Sequence, residues 1–398
     1  MTAEFSSAQH ANGGGDFKSW TGSDAAALQA RVEDACAQAL GFLDAMQADG
    51  EPRGVMRASP AHDPVEWPGM LLAGTVHGVM ALRLLGGVLH LRGGERTDLV
   101  GWIERARRPN GTFAIAGMNE NDVFKKPDRD ETWRYIDFQT TNFALGAIEA
   151  LEPLRQPQLD FVEPWLDPLI LRAWLAERDM RDPLQEGNVL VNLGSFLLLK
   201  SRQGRAEEKA AAKAAFDCIF DWQARLQEPA TGFWGVGQGL GATQMRDAMA
   251  GSTLACHLHY ALRRPLPHLD RAVDYALSLS PPKMESAAVD AALVDLLVHA
   301  AMISPYRGGE VARYLARMLD ALLDDQNVDG GFPDMRAGTR RHDGWQRGYA
   351  ERQGLSNTYA TWLRCTAIAM IADHFWPGWK AWGFRRMIGP GYRRESGR

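Results

Sequence analysis

Gln326-Asn-Val-Asp-Gly330-Gly-Phe332 is a short glycine-aromatic segment that decides the fold, because versions of it recur along the chain. Each version follows a stretch with helical periodicity and puts a glycine two residues before an aromatic side chain. The other two are Arg107-Arg-Pro-Asn-Gly111-Thr-Phe113 and Gln227-Glu-Pro-Ala-Thr-Gly232-Phe-Trp234. A second, apolar helix is predicted after each one, over residues 140–151, 250–262 and 355–372. Such recurrence is typical of a repeat protein.

Three further pairs of predicted helices lack the glycine-aromatic turn but have the same order of an amphipathic helix followed by an apolar one. Together with the first three, they give six helical hairpins. The first helix of a pair has one apolar stripe, and the second is apolar nearly all round. Alternating outer and inner helices of this kind can close into an all-α, (α/α)6 toroid. The three further pairs are 25–45 with 70–85, 166–176 with 188–200, and 268–279 with 285–301.

Length and composition favour one large helical domain. We predict a tail at residues 1–22, the toroid at 23–376 and a C-terminal extension at 377–398, since no long linker divides the 398 residues. No stretch has the features of a signal peptide or the ~20 apolar residues of a membrane span, so we expect a cytoplasmic protein. A net charge of -5 predicts no nucleic-acid partner. The four cysteines form no C-x-x-C pair.

The glycine-aromatic turn between an outer and an inner helix resembles the repeat of the terpenoid cyclase and protein prenyltransferase superfamily. Three of the six hairpins carry it, and the copy at Gln326 is the most complete. Other helical solenoids, and the α/α barrels of polysaccharide lyases and glycoside hydrolases, remain alternatives. We interpret the glycines and aromatics as structural, because glycine permits a positive φ and the aromatic packs between outer helices.

One segment, Asp137-Phe-Gln139-Thr-Thr141, is similar to the acid motif of class II terpene cyclases at the start of an inner helix. The resemblance implies that the middle acidic residue protonates an alkene. Here that residue is Gln139, and an amide cannot deliver the proton, so ordinary protonation-initiated cyclisation is not expected. The alternative is that Asp137 only caps the helix.

Protein prenyltransferases bind zinc through an Asp, a Cys and a His on their inner helices. Asn357 stands where the resemblance would place the His. Cys256 and His259 are three residues apart and could face the same side of a helix, but no third ligand accompanies them. His257 is adjacent to Cys256, so its side chain would point to a different side of the helix. We therefore predict no metal, with Mg²⁺ needed only if the substrate is a diphosphate.

The site is predicted where the inner helices begin, because helix N-termini carry unpaired N–H groups and partial positive charge. Two long polar loops, 118–137 and 334–353, precede inner helices there. The second is rich in arginine, which recognises carboxylate, sulfate or phosphate, although it could also be an ordinary solvated loop. We expect an anionic small molecule or saccharide as the partner.

The candidate residues lie in those loops and in the first turns of the predicted inner helices, where they would line a polar rather than aromatic cavity. Asp137, Asp247, Asp290 and His257 are the candidate catalytic residues. The candidate substrate-binding residues are Trp133, Tyr135, Gln139, Asn142, Asn188, Arg340, Arg341, Trp345, Arg347, Tyr349, Arg352 and Asn357.

Three functions fit these observations. The first is a cyclase-like or transferase-like enzyme acting on an isoprenoid diphosphate. The second is a lyase, hydrolase or epimerase acting on an acidic saccharide, with an Arg on the uronate and a Tyr, His or Asp as acid or base. The third is a non-catalytic binding toroid. Fold does not establish function, and a deep apolar cavity would favour the first.

Overall fold

The computed structural model describes residues 23–117, 129–153, 157–178, 180, 182–235, 241–279, 286–335 and 354–394, with only the backbone of 129–133 and 242–243. This part is helical and contains isolated β-bridges but no strand, as predicted. Two 3-10 helices span Gly87–His90 and Asp160–Leu166. The α-helices are α1 Ser23–Ala45, α2 Met70–Leu85, α3 Gly93–Glu104, α4 Arg129–Leu151, α5 Pro168–Ala176, α6 Pro183–Gln203, α7 Ala206–Leu226, α8 Ala242–Leu262, α9 Leu269–Ser278, α10 Ala287–Ile303, α11 Gly308–Asp324 and α12 Thr358–Phe375.

Each predicted hairpin corresponds to one odd and one even helix, but three even helices begin earlier than predicted. Helix α4 begins at Arg129 instead of residue 140, α6 at Pro183 instead of residue 188, and α8 at Ala242 instead of residue 250. The added stretches are largely polar, so apolar periodicity did not mark them as helix. Asp137 therefore lies within α4 and not at its start, and the interpretation of Asp137 as a helix cap was wrong.

The even-numbered helices, called here the cycle helices, contact one another in sequence. Helix α2 packs against α4, α4 against α6, α6 against α8, α8 against α10 and α10 against α12. Helix α12 packs against α2, which closes the cycle. They are apolar nearly all round because they are buried on every side, and Leu145, Leu193 and Leu293 are among their buried residues.

The odd-numbered helices, called the flanking helices, bury a single stripe. Helix α11 is an example: its buried side chains Val311, Leu315 and Leu322 recur at helical spacing, while charged residues lie between them. Helices α1, α3, α7, α9 and α11 pack against cycle helices, and α5 packs on α7. This two-layer arrangement buries the apolar face of each hairpin.

The turn that leads into a cycle helix is fastened by a repeated hydrogen bond, called here the turn latch. A backbone N–H at the aromatic position donates to a Ser or Thr hydroxyl in the cycle helix that follows. The first hairpin has the latch as well, although its sequence lacks the glycine-aromatic signature. The four pairs are Met56 with Thr75 at 3.0 Å, Phe113 with Thr141 at 2.9 Å, Trp234 with Ser252 at 3.0 Å and Phe332 with Thr361 at 3.0 Å.

The last turn also joins the two ends of the repeat array. The Gln326 side-chain amide donates to the carbonyl of Gly330 at 2.7 Å and to that of Ala35, in α1, at 2.9 Å. Gly330 has a φ of +85°, and a Cβ there would lie 2.3 Å from the Gln38 carbonyl oxygen. A glycine is required for both reasons. The structural interpretation of the glycine-aromatic segments therefore agrees with their contacts.

Replacing Thr141 with Val should lower the free energy of unfolding by about 1–2 kcal/mol, because it leaves the buried Phe113 N–H without its acceptor while keeping the shape of the side chain. The neighbouring Thr140 supplies a matched control. Its hydroxyl is buried and has no hydrogen-bond partner among the described residues. Thr140→Val should therefore be neutral or slightly stabilising in urea unfolding, and equal losses in the two variants would contradict the latch.

None of the described helices combines the length and the apolar composition that crossing a bilayer requires.

Candidate functional site

A cavity of about 60 Å³ lies among the cycle helices, within about 610 Å³ of space that protein atoms do not fill and that includes its opening to solvent. It extends from the first turns of α6, α10 and α12, at Leu184, Ala288 and Tyr359, toward the middle of the helices. Most of its lining is aliphatic. The other lining residues are Gln139, Asn188, Ala250, Thr253, Leu254, His257, Ala291, Ala292, Asp295, Leu363, Thr366, Met370, Pro390 and Gly391.

Helices α8 and α10 each present one face to the cavity. On α10 this face carries Ala288, Ala291, Ala292 and Asp295, with the spacing of one helical stripe. On α8 the lining residues 250, 253, 254 and 257 have the same spacing. The small alanines leave the space that forms the cavity. From Ala288 to Asp295, a rise of about 1.5 Å per residue gives a depth of about 10 Å.

Each stripe ends in a polar residue, and the two residues meet at the inner end of the cavity. The His257 Nε2 atom lies 3.1 Å from both carboxylate oxygens of Asp295. The Nδ1 atom of the same ring accepts a hydrogen bond from the Gly389 N–H at 3.1 Å. This pattern assigns a neutral imidazole that donates from Nε2 to the carboxylate. Both ring nitrogens are therefore engaged.

Asp295 also holds a second imidazole, that of His299. The Nδ1 atom of His299 lies 3.1 Å from the Asp295 carboxylate, and its Nε2 atom accepts from the Arg394 N–H at 3.3 Å. Burial alone would raise the pKa of Asp295, but the two imidazoles outweigh it and hold that pKa well below its usual range. Asp295 is thus a carboxylate committed to orienting two histidines, and it is a weak base.

Gln139, at the acid position of the cyclase-like motif, lies on the cavity wall. Its amide donates to the Asn188 side-chain oxygen at 3.3 Å, and both residues line the cavity. The Asn188 amide donates in turn to the Leu184 carbonyl at 2.9 Å. The motif position therefore faces the cavity, but it offers hydrogen bonds and not a transferable proton.

Asp137 lies outside the cavity lining. Its carboxylate accepts a hydrogen bond from Arg108, which follows α3, at 2.6 Å. Burial raises the pKa of Asp137, and the Arg108 guanidinium offsets this only in part. This ion pair connects the turn that follows α3 to α4, so the described contacts of Asp137 are structural.

Asp290 and Asn357 also have structural partners. Asp290 is buried and pairs with the Arg364 guanidinium of α12. Asn357 is the N-cap of α12, with its side-chain oxygen accepting from the Ala360 N–H at 2.7 Å. Neither residue lines the cavity described above. Their predicted site roles came from their place near the start of a cycle helix, but Asp290 pairs with a neighbouring helix and Asn357 caps its own helix.

The remaining candidates are divided between the core, the helix start and segments that are not described. Asn142 is buried and donates to the Asn192 side-chain oxygen at 2.6 Å, and Tyr135 is buried as well. Asp247 is half-buried, one helical turn before the lining residue Ala250. The side chain of Trp133 and the residues Arg340, Arg341, Trp345, Arg347, Tyr349 and Arg352 lie outside the described residues.

Sequence reasoning missed Asp295 and the alanine stripe of α10. A signal for the stripe exists in the sequence, since Ala288, Ala291 and Ala292 are small residues at one helical spacing in an otherwise bulky helix. Nothing in the sequence places Pro390 and Gly391 in the cavity, because they are distant in the chain from every other lining residue.

No protein-family model matches the chain, and no curated protein has a significantly similar sequence.

Proposed function

We propose that the protein is a terpenoid cyclase-like or prenyltransferase-like (α/α)6 toroid that acts on an isoprenoid with an anionic head, such as a diphosphate. The hydrocarbon chain would occupy the central cavity, and the head would lie near the first turns of the cycle helices. The closed cycle of six helices and the flanking layer support the architecture. The isoprenoid function rests on the chemistry of the cavity.

The aliphatic lining of the cavity is the observation that carries this proposal. Most of its wall surface is apolar, and eight of its seventeen lining residues are leucine, alanine or methionine. Burying apolar surface contributes about 25 cal/mol per Å², whereas every sugar hydroxyl brought into such walls without a hydrogen-bond partner costs free energy. An acidic saccharide, the alternative substrate, therefore fits the described walls poorly.

The polar lining residues would orient the chain and would not start the reaction. Gln139 and Asn188 can donate hydrogen bonds to an oxygen or to developing negative charge, while Asp295 is held by two histidines. Among the described residues, no cluster of three His, Cys, Asp or Glu side chains could hold a metal ion. The anionic head would lie at the first turns of the cycle helices, whose backbone N–H groups can donate hydrogen bonds to it.

Filling the cavity tests the proposal directly. Ala292→Phe should weaken the binding of farnesyl diphosphate by at least about 10-fold, because the added ring takes the space of the hydrocarbon chain. Binding can be measured by isothermal titration calorimetry, and turnover by the release of inorganic diphosphate. Ala210→Leu, at an exposed position on α7, is the matched control and should leave both unchanged.

The ligand series separates the alternatives. Farnesyl diphosphate should bind more tightly than inorganic diphosphate, since the cavity contributes through the hydrocarbon chain. Binding of an oligouronate in preference to farnesyl diphosphate would establish the saccharide alternative, and binding of farnesyl diphosphate without turnover would establish the binding toroid. Equal binding of farnesyl diphosphate by wild type and Ala292→Phe would refute the assignment of the cavity.

A further inference from the structure

The chain that follows α12 returns into the cycle of helices. The Gly383 N–H donates to the Leu84 carbonyl at the end of α2 at 3.1 Å. Beyond it, Arg385, Met387 and Ile388 are buried. Pro390 and Gly391 then form part of the cavity lining. Within the extension predicted at 377–398, most of 385–392 is therefore packed into the core, whereas 377–384 are exposed or half-buried.

Hydrogen bonds hold this segment, residues 385–394 and called here the floor segment, to three cycle helices. Arg385 donates to the Asn142 backbone carbonyl at 3.1 Å and to its side-chain oxygen at 2.6 Å, both in α4. The Asn142 amide donates back to the Ile388 carbonyl at 3.3 Å. The Gly389 N–H donates to His257 of α8, and the Arg394 N–H donates to His299 of α10.

Asp295 prepares both histidines for this role. A neutral imidazole has one donor and one acceptor nitrogen, so donation to Asp295 leaves the other nitrogen of each ring as an acceptor for the floor segment. Tyr392 lies near these rings: its ring is parallel to that of His299 within 4°, with centroids 6.5 Å apart, and His299 stacks on Tyr260 with centroids 4.2 Å apart.

We propose that the floor segment sets the greatest length of hydrocarbon chain that the cavity admits. Its Gly389 N–H bonds to His257, the last lining residue of α8, and Pro390 and Gly391 line the cavity with Asp295, so the segment would close the cavity where the alanine stripe of α10 ends. A chain longer than the described cavity would meet Pro390 and Gly391. This inference rests on the proposed isoprenoid function and adds its chain-length specificity.

The floor segment can be removed as a unit. A chain ending at Phe384 loses Arg385 together with the contacts that this buried charge makes, so no buried guanidinium is left unpaired. Opening the inner end should raise the affinity for geranylgeranyl diphosphate by at least about 10-fold relative to farnesyl diphosphate, because the additional hydrocarbon of the longer chain becomes buried. Circular dichroism and a cooperative thermal transition verify that the shortened chain folds.

A full-length variant tests the same idea in the opposite direction. Thr366 lines the cavity beside Gly391, and Thr366→Leu should shorten the cavity at its inner end. This variant should weaken the binding of the longest isoprenoid diphosphate that the wild type binds, and it should leave the affinity for geranyl diphosphate nearly unchanged. Ala288→Leu, at the outer end of the α10 stripe, is the control and should weaken all chain lengths alike.

The outcomes separate this inference from the proposed function. A folded shortened chain with an unchanged length preference overturns the role of the floor segment. Should that chain fail to fold, an unchanged preference in Thr366→Leu overturns it instead. Neutral n-alkanols of increasing length serve as a second probe. Suppose that n-alkanols bind, that the shortened chain binds longer ones than the full chain does, and that isoprenoid diphosphates do not bind. The role of the floor segment is then upheld, and the isoprenoid function fails. Binding of neither probe overturns both.

Discussion

Replacing Arg364 with Ala should lower the free energy of unfolding by about 3–5 kcal/mol, because it leaves a buried carboxylate without its cation. Arg364 is completely buried in α12 and pairs with Asp290 of α10. It also donates to the Asp334 carbonyl at 3.1 Å, and the Asp334 carboxylate accepts from the Ala287 N–H at the start of α10. The guanidinium thus joins two cycle helices, and chemical denaturation at neutral pH measures its contribution.

Two further variants make this expectation specific. Arg31→Ala removes an arginine that pairs with Asp320 and Asp324 in an exposed position, and it should cost less than about 1 kcal/mol. The double variant Arg364→Met with Asp290→Leu should recover part of the loss, because the carboxylate closest to the guanidinium is removed with it, while the buried Asp325 carboxylate, 3.9 Å from Arg364, remains. A double variant as unstable as Arg364→Ala would show that packing, and not the charge, accounts for the effect.

His77 should make the protein sensitive to acid. Its ring is fully buried in α2 and contacts the rings of Phe143, Tyr359 and Trp362 at centroid distances of 5.3, 5.0 and 5.8 Å. Burial lowers the pKa of His77 to about 3 from an ordinary value of 6.5. Between these values the unfolded chain binds a proton that the folded chain does not, so stability falls as the pH falls below 6.5.

The expected size of this effect is about 2–3 kcal/mol between about pH 7 and about pH 4.5. His77→Phe should remove that part of the loss, since a phenyl ring does not titrate, and comparison with wild type cancels the acid sensitivity of other groups such as Asp295. Replacement of His90, an exposed histidine, by Asn should not alter the pH dependence in this way. Parallel stability curves for wild type and His77→Phe would show that His77 does not carry the effect.

The sequence alone determined the helical hairpins and their order. The apolar stripe of a helix such as α11 and the largely apolar composition of the cycle helices are local patterns, since they follow from the spacing of side chains on one helix. The glycine-aromatic turn was also readable, because Gly330 needs a positive φ whatever surrounds it. Gln139, which the sequence motif singled out, lines the cavity.

Only the tertiary structure decided which polar side chains face the cavity. Asp137 and Asp290 looked like site residues from their place in the chain, but Asp137 pairs with Arg108 of the turn before α4, and Asp290 pairs with Arg364 of α12. Asp295 became a site residue because α8 and α10 bring it to His257, and the floor segment arrives from far along the chain. These contacts join residues that are far apart in sequence, so they depend on how the helices pack. Side-chain periodicity within one helix carries no information about them.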